Sequence, residues 1–280
     1  MTLCKEMRTL VQRELLPVVP SSVGRLISVF YNNDLSILEI AGEIERYPAI
    51  AGRLLAAANS VWSSPGVPVT QLPDACVRLG LESVRTLSIA LAVSNVFNPS
   101  KCPAFDVKRY WMSAMLTAQA AGLFAKALEY PGQASTWRAV GLLHNLGLLW
   151  LADNKPEQTS AALIRGQSGS VVDAMRDEIG VDYLQAGVCL AGSWRLPQIF
   201  PSVIGNFKHP EAAGEYVLSA WVVGVSTMMA SALYNKRDWV EIASLKRQRS
   251  ASFETELSVF NELVSAEKAL AEIIDSLTLY

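Results

Sequence analysis

The feature that most constrains this chain is the stretch 140–151, Val140-Gly141-Leu142-Leu143-His144-Asn145-Leu146-Gly147-Leu148-Leu149-Trp150-Leu151. It is apolar for about three helical turns, so it belongs in a core, and it carries one of only two histidines in 280 residues. Burying a polar doublet in such a helix is costly unless both side chains find partners. His144 and Asn145 therefore read either as a hydrogen-bonded core pair or as the remnant of a metal site. Which of these holds decides whether the chain is an enzyme.

Hydrophobic residues make up 51% of the chain and charged residues 18%, enough for one large core or two modest ones. Leu, Ala, Ile and Val dominate, and Gly and Pro are placed like punctuation, which favours helix over sheet. Net charge is -2 with acids balancing scattered bases, so no positive field draws in nucleic acid. Even the densest basic run, Lys246-Arg247-Gln248-Arg249, reads as a solvated face or loop. Cys4, Cys76, Cys102 and Cys189 form no C-x-x-C and no short pairing with histidine. Neither a zinc site nor a disulfide framework is suggested, and reduced thiols in a cytoplasmic protein are expected. Lys5, Glu6, Arg8, Arg13 and Glu14 interrupt the N-terminal apolar residues and argue against a secretory segment. The run 212–233 contains Glu215 and small polar residues and makes a poor membrane span, so no membrane partner is expected.

Helical spacing recurs along the chain. Val23, Leu26, Ile27 and Phe30 share one face, and Ile37, Ile40, Ala41 and Ile44 repeat the pattern behind a Ser36/Glu39 capping box. Pro48 starts a helix through Ala58, Ser63 to Pro68 is turn chemistry, and Thr70 is placed to cap the next segment. Gly80 separates that segment from a longer helix closed by Asn98-Pro99. Asp106 caps a long helix holding Trp111, Met115, Ala118 and Gly122, and Ser135 is expected to cap a central helix running to about Ala152. Three shorter pieces follow Pro156, with breaks at 166–169 and at Gly180 and an Asp182/Gln185 cap before the third. Further helices are expected from Leu196-Pro197 to His209-Pro210, then over 211–235 and 252–279. No alternating strand pattern competes, and no solenoid period repeats. The expectation is an all-α bundle of roughly ten to thirteen helices, divided into an N-terminal helix (1–15), a core (16–210) and C-terminal helices (211–280) packed on it.

From residue 17 to about 210 the ordered signals resemble the HDOD domain, the signalling-associated and usually non-catalytic branch of the HD-domain metal-dependent phosphohydrolase superfamily. The resemblance runs through Leu16-Pro17-Val18-Val19-Pro20, Ser36-Ile37-Leu38-Glu39-Ile40-Ala41 and Tyr47-Pro48-Ala49-Ile50. It continues in Leu54-Leu55-Ala56-Ala57-Ala58-Asn59-Ser60, Pro68-Val69-Thr70-Gln71-Leu72 and Leu79-Gly80-Leu81-Glu82-Ser83-Val84-Arg85. Tyr110-Trp111, the Gly141 to Gly147 stretch and Trp194-Arg195-Leu196-Pro197 complete it. The implied fold is an HD-like helical bundle.

The resemblance also implies where catalytic relatives hold metal. They use an early histidine, a His-Asp doublet and a later aspartate, often with a second histidine pair. A hydrolytic ion needs several donors converging on one point with an open position for water, and carboxylate to offset its charge. Here Ser113 stands at the best match for the early histidine, and the doublet reads His144-Asn145. The later histidine pair falls near Asn206-Phe207-Lys208, where Lys208 brings positive charge, and the final aspartate near Ala220-Trp221. Ser113, His144, Asn145 and Lys208 thus read as a vestigial site with no catalytic or metal-ligating residue and no cofactor. Asp153 and Asp182 are the acids left to complete a cage with His144 and Asn145.

Other catalytic patterns are missing. Gly166-Gln167-Ser168-Gly169 resembles a nucleophile elbow superficially but reads as a loop, and no phosphate-cradling glycine motif occurs. Asp173, Asp177 and Glu178 read as a solvated acidic face. Most of the seven tryptophans are expected in the core, with Trp62 the one favoured as a partner anchor. Two functions from different classes remain. The favoured one is a stand-alone, non-catalytic signalling module in bacteria, contacting other signalling proteins and open to homo-oligomerisation. The alternative is an HD-type phosphohydrolase with a reduced ligand set.

Overall fold

The structure is a computed structural model that describes residues 21–30, 35–59, 68–244 and 251–278. The sequence readings on 1–15, on Leu16 to Pro20, on Ser60, Trp62 and most of the Ser63 to Pro68 turn, and on the 246–249 basic run lie outside the described residues, as does Cys4. Among the described residues all regular structure is helical.

The first group is α1 (Ser21–Phe30), α2 (Ile37–Ile44), α3 (Pro48–Ala58), α4 (Leu72–Leu79) and α5 (Leu81–Ser94). Ser36 and Glu39 close the expected capping box on α2. Gln71, not Thr70, occupies the N-cap of α4. The Asn59 amide donates to the Val69 carbonyl at 2.7 Å and accepts from the Val69 N–H at 2.8 Å, clasping the chain on either side of 60–67.

The long helix α6 (Val107–Ala127) is the axis of the molecule, capped by the Asp106 carboxylate accepting from the Arg109 N–H at 2.8 Å. Buried alanines at 114, 118, 120, 121 and 125 leave its surface shallow. Helices α7 (Ala134–Leu143), α13 (Val217–Tyr234) and α15 (Phe253–Thr278) pack closely on it. The stretch 214–234 is long and apolar enough to cross a membrane by composition alone. Here α13 serves as a core helix, with Trp221 set edge-on to Phe124 of α6 at 5.5 Å. Helix α14 (Trp239–Ser244) buries Trp239 against Phe260 of α15.

The second group is α8 (Leu146–Asn154), α9 (Pro156–Gly166), α10 (Val171–Ile179), α11 (Tyr183–Ser193) and α12 (Ile199–Asn206). Short breaks separate these helices, and the expected all-α bundle holds. Two expectations are corrected. The central helix does not run unbroken to Ala152: it stops at Leu143 and restarts at Leu146. Ser135 is not its cap but lies inside α7, buried, where it accepts from the Arg85 guanidinium at 3.2 Å. Trp111, Trp137, Trp150, Trp194, Trp221 and Trp239 are all buried, and Cys76, Cys102 and Cys189 are buried and form no disulfide among the described residues.

Candidate functional site

The turn between α7 and α8 consists of His144 and Asn145. Two close backbone contacts hold it in place. A Cβ at Gly147 would lie 2.1 Å from the Tyr183 carbonyl oxygen and 2.4 Å from the Gly187 nitrogen, so α8 meets α11 backbone to backbone. At Gly224 a Cβ would lie 2.3 Å from the Phe207 carbonyl oxygen, which lets α13 press the segment after α12 into position. Phe207 then meets the His144 ring edge-on at 5.4 Å, with Lys208 beside it.

These contacts frame a cleft of about 730 Å³. Asp106, Arg109, Tyr110 and Ser113 line it from one face of α6, at i, i+3, i+4 and i+7. His144 and Asn145 enter from the helix break, Phe207 and Lys208 from the end of α12, and Thr227 and Ser231 from one face of α13. The α9–α10 turn supplies Gly166, Gln167, Gly169 and Ser170. Ser113, His144, Asn145 and Lys208, named from the sequence, are brought together here although 95 positions separate the first from the last. Ala220 and Trp221 are not: both are buried in the α13 packing and neither lines the cleft. The polar groups of α13 that reach the cleft, Thr227 and Ser231, stand about two and three turns later. His209 is solvent-exposed, with Nδ1 3.7 Å from Glu211, and also lies off the cleft.

His144 Nδ1 lies 2.7 Å from the Gly141 carbonyl oxygen. A carbonyl only accepts, so Nδ1 carries the proton and Nε2 of the neutral ring is an acceptor. Burial pushes the imidazolium pKa down to about 4; the Gly141 carbonyl opposes that shift, and the charge of Lys208 adds to it. Of the two readings of the doublet, the hydrogen-bonded pair is not completed by the Asn145 oxygen. Asn145 Oδ1 is buried without a hydrogen-bond partner in the protein, so it makes no bond to a neighbouring helix. Lys208 reaches solvent at the rim, its ammonium resting 5.4 Å above the Tyr183 ring. Desolvation by the surrounding protein lowers its pKa, against the pull of Asp182 and Asp173.

The donor set does not fit a hydrolytic metal. Among the described residues no group of three or more His, Cys, Asp or Glu is placed to hold an ion. Asp153 pairs with Lys101 at 2.8 Å. Asp182 is buried, caps α11 and pairs with Arg176 at 2.6 Å. Both acids are committed away from the cleft. Among the described residues Asp106 is the carboxylate lining it, and its Oδ1 accepts from the α6 N-terminus.

Sequence reasoning missed most of the wall. The loop reading of Gly166 to Gly169 overlooked its place at the cleft mouth, and Ser170 is signalled only as the N-cap of α10. Arg109 and Tyr110 were legible in principle, being on the face of Ser113. The acidic residues Asp177 and Glu178 are partly neutralised by Arg165.

An all-helical bundle with a polar cleft at a His-Asn helix break matches an HD-like helical fold. The chain belongs to the HDOD domain family, whose model matches residues 16–210. A provisionally named phosphohydrolase from Shewanella amazonensis shares the fold at a TM-score of 0.76 and 22% identity, over 98% of each chain. An HDOD domain protein with unknown function from Geobacter sulfurreducens gives 0.75 at 19% identity, over 98% of this chain and 99% of its own. In sequence, an uncharacterised protein of Treponema pallidum (strain Nichols) is 26% identical over 207 residues, 72% of this chain. The chain spans 39% of that curated relative's length.

Proposed function

We propose that the protein is a non-catalytic HDOD module of bacterial signal transduction, acting in the cytoplasm through contacts with other signalling proteins or a second copy of itself. One observation carries the non-catalytic half. The cleft in which a metal-dependent relative would work offers a neutral imidazole, a neutral amide and a lysine ammonium. An amide in place of a carboxylate gives oxygen without charge, and the ammonium opposes any cation nearby. The regulatory half draws on family membership and on a fold shared with a provisionally named signal transduction protein from Marinobacter aquaeolei (TM-score 0.73, 22% identity, over 95% of this chain and 61% of its own).

The test is turnover of phosphomonoester and phosphodiester substrates by purified protein supplied with manganese, iron or magnesium. No rate above buffer is expected, from the parent or from Asn145→Asp, because restoring one carboxylate leaves the other donors absent. Turnover that disappears in His144→Ala would establish the reduced-ligand phosphohydrolase instead.

A further inference from the structure

The buried part of the cleft wall is polar but carries no charge. Its buried side chains are Phe105, Tyr110, His144, Asn145 and Phe207, whereas Asp106, Arg109 and Lys208 are exposed. His144 has committed Nδ1 to Gly141, and its other nitrogen, Nε2, is an unsealed acceptor. Asn145 turns its two polar atoms opposite ways. Oδ1 is sealed inside the protein, whereas Nδ2 is unsealed and makes no bond to the chain, so it gives onto the cleft. This orientation is the less costly one, since sealing the amine would strand two donors in place of one carbonyl. The adjoining pair therefore offers the cleft one acceptor and one donor group, both neutral.

The exposed charges select no ion. Asp106 and Arg109 stand on the same face of α6. Desolvation lowers the Lys208 pKa, Asp182 and Asp173 oppose that shift, and Arg176 adds to it. Asp106, Asp173 and Asp182 thus stand against Arg109, Arg176 and Lys208, which leaves no field of one sign over the pair. An ion would also give up its hydration beside neutral partners, a cost that an uncharged ligand largely escapes. The rings of Phe105, Tyr110, Tyr183 and Phe207 in the wall suit a flat body. A cleft of about 730 Å³ falls within the usual size of small-molecule sites, roughly 300–1,000 Å³.

We propose that this cleft binds a small, flat, uncharged amide, whose N–H donates to His144 Nε2 and whose carbonyl accepts from Asn145 Nδ2. An amide carries a donor and an acceptor on separate atoms of one neutral group, which a carboxylate, an ammonium or a ketone does not. The inference goes beyond the regulatory reading and does not depend on which partner the protein contacts, nor does its failure bear on the turnover test.

The experiment is a ligand-observed NMR titration of the full chain, at neutral pH, with benzamide and three probes of the same shape. Benzoate is the anion, benzamidinium the cation, and acetophenone keeps the carbonyl without the amine. Benzamide is expected to bind about tenfold or more tighter than each of the others. His144→Phe removes the acceptor and Asn145→Leu the donor, and each is expected to weaken benzamide by about tenfold. Lys208→Met should change it by less than about twofold, because the ligand carries no charge. Should either substitution in the pair prevent folding, the order of the probes on the parent protein decides alone. Absence of benzamide binding, equal or tighter binding by any other probe, unchanged benzamide binding in folded His144→Phe and Asn145→Leu, or a tenfold loss in Lys208→Met would overturn the proposal.

Discussion

His144 is enclosed on one side by the Gly141 carbonyl and on another by the Phe207 ring, and burial holds its pKa down to about 4 against an ordinary value of 6.5. The consequence for stability has a definite sign. Between those two values the unfolded chain binds a proton that the folded chain refuses, so stability rises with pH across the window. The contribution is complete above the unfolded value and is lost as pH falls through the folded one, amounting to about 3 kcal/mol at most. His144→Gln should flatten that part of the profile. Urea unfolding of parent and variant, at neutral pH and near the bottom of the window, measures it. Parallel losses in both proteins would mean that the folded ring accepts its proton freely. The sequence made the location of this residue legible but not the state of its neighbour. Asn145 reads naturally as half of a satisfied pair, because most buried polar groups are paired. Its unpaired oxygen depends on where Phe207, Lys208 and α13 come to rest.

At the level of elements, caps and proline starts were readable because their chemistry is local. Ser36 with Glu39, Asp106 and Asp182 with Gln185 all cap the helices expected of them. The break at His144-Asn145 was not read from the sequence, because apolar residues flank the polar doublet on both sides; Asn145, the N-cap of α8, is its local signal. The turn sits beside a tight tertiary contact: α8 lies against α11 at backbone distance. Gly147 is the residue that permits it. Gly147→Ala sets a methyl against the Tyr183 carbonyl and the Gly187 nitrogen, backbone atoms that cannot rotate away. A loss of about 3 kcal/mol is expected, at the upper end for overpacking. The midpoint of chemical denaturation reads it, and a midpoint equal to the parent's would show that α8 and α11 are not in such contact.

For the whole molecule, the all-helical class followed from composition and periodicity, and the HDOD resemblance from ordered local signals over 16–210. The cleft is a property of the assembled chain. Its walls come from α6, the α7–α8 turn, the α9–α10 turn, the end of α12 and α13, which no local pattern links. Only the positions suggested by the resemblance could be named beforehand; of the α13 residues, Thr227 and Ser231 line the cleft and Ala220 and Trp221 do not. The central claim is that this assembly cannot hold a hydrolytic ion, and direct metal binding tests it more closely than turnover does. Protein equilibrated with manganese, iron or magnesium and then freed of loosely bound ions should retain far less than one equivalent, with no difference between parent and His144→Ala. One retained equivalent per chain that is lost in His144→Ala would contradict it.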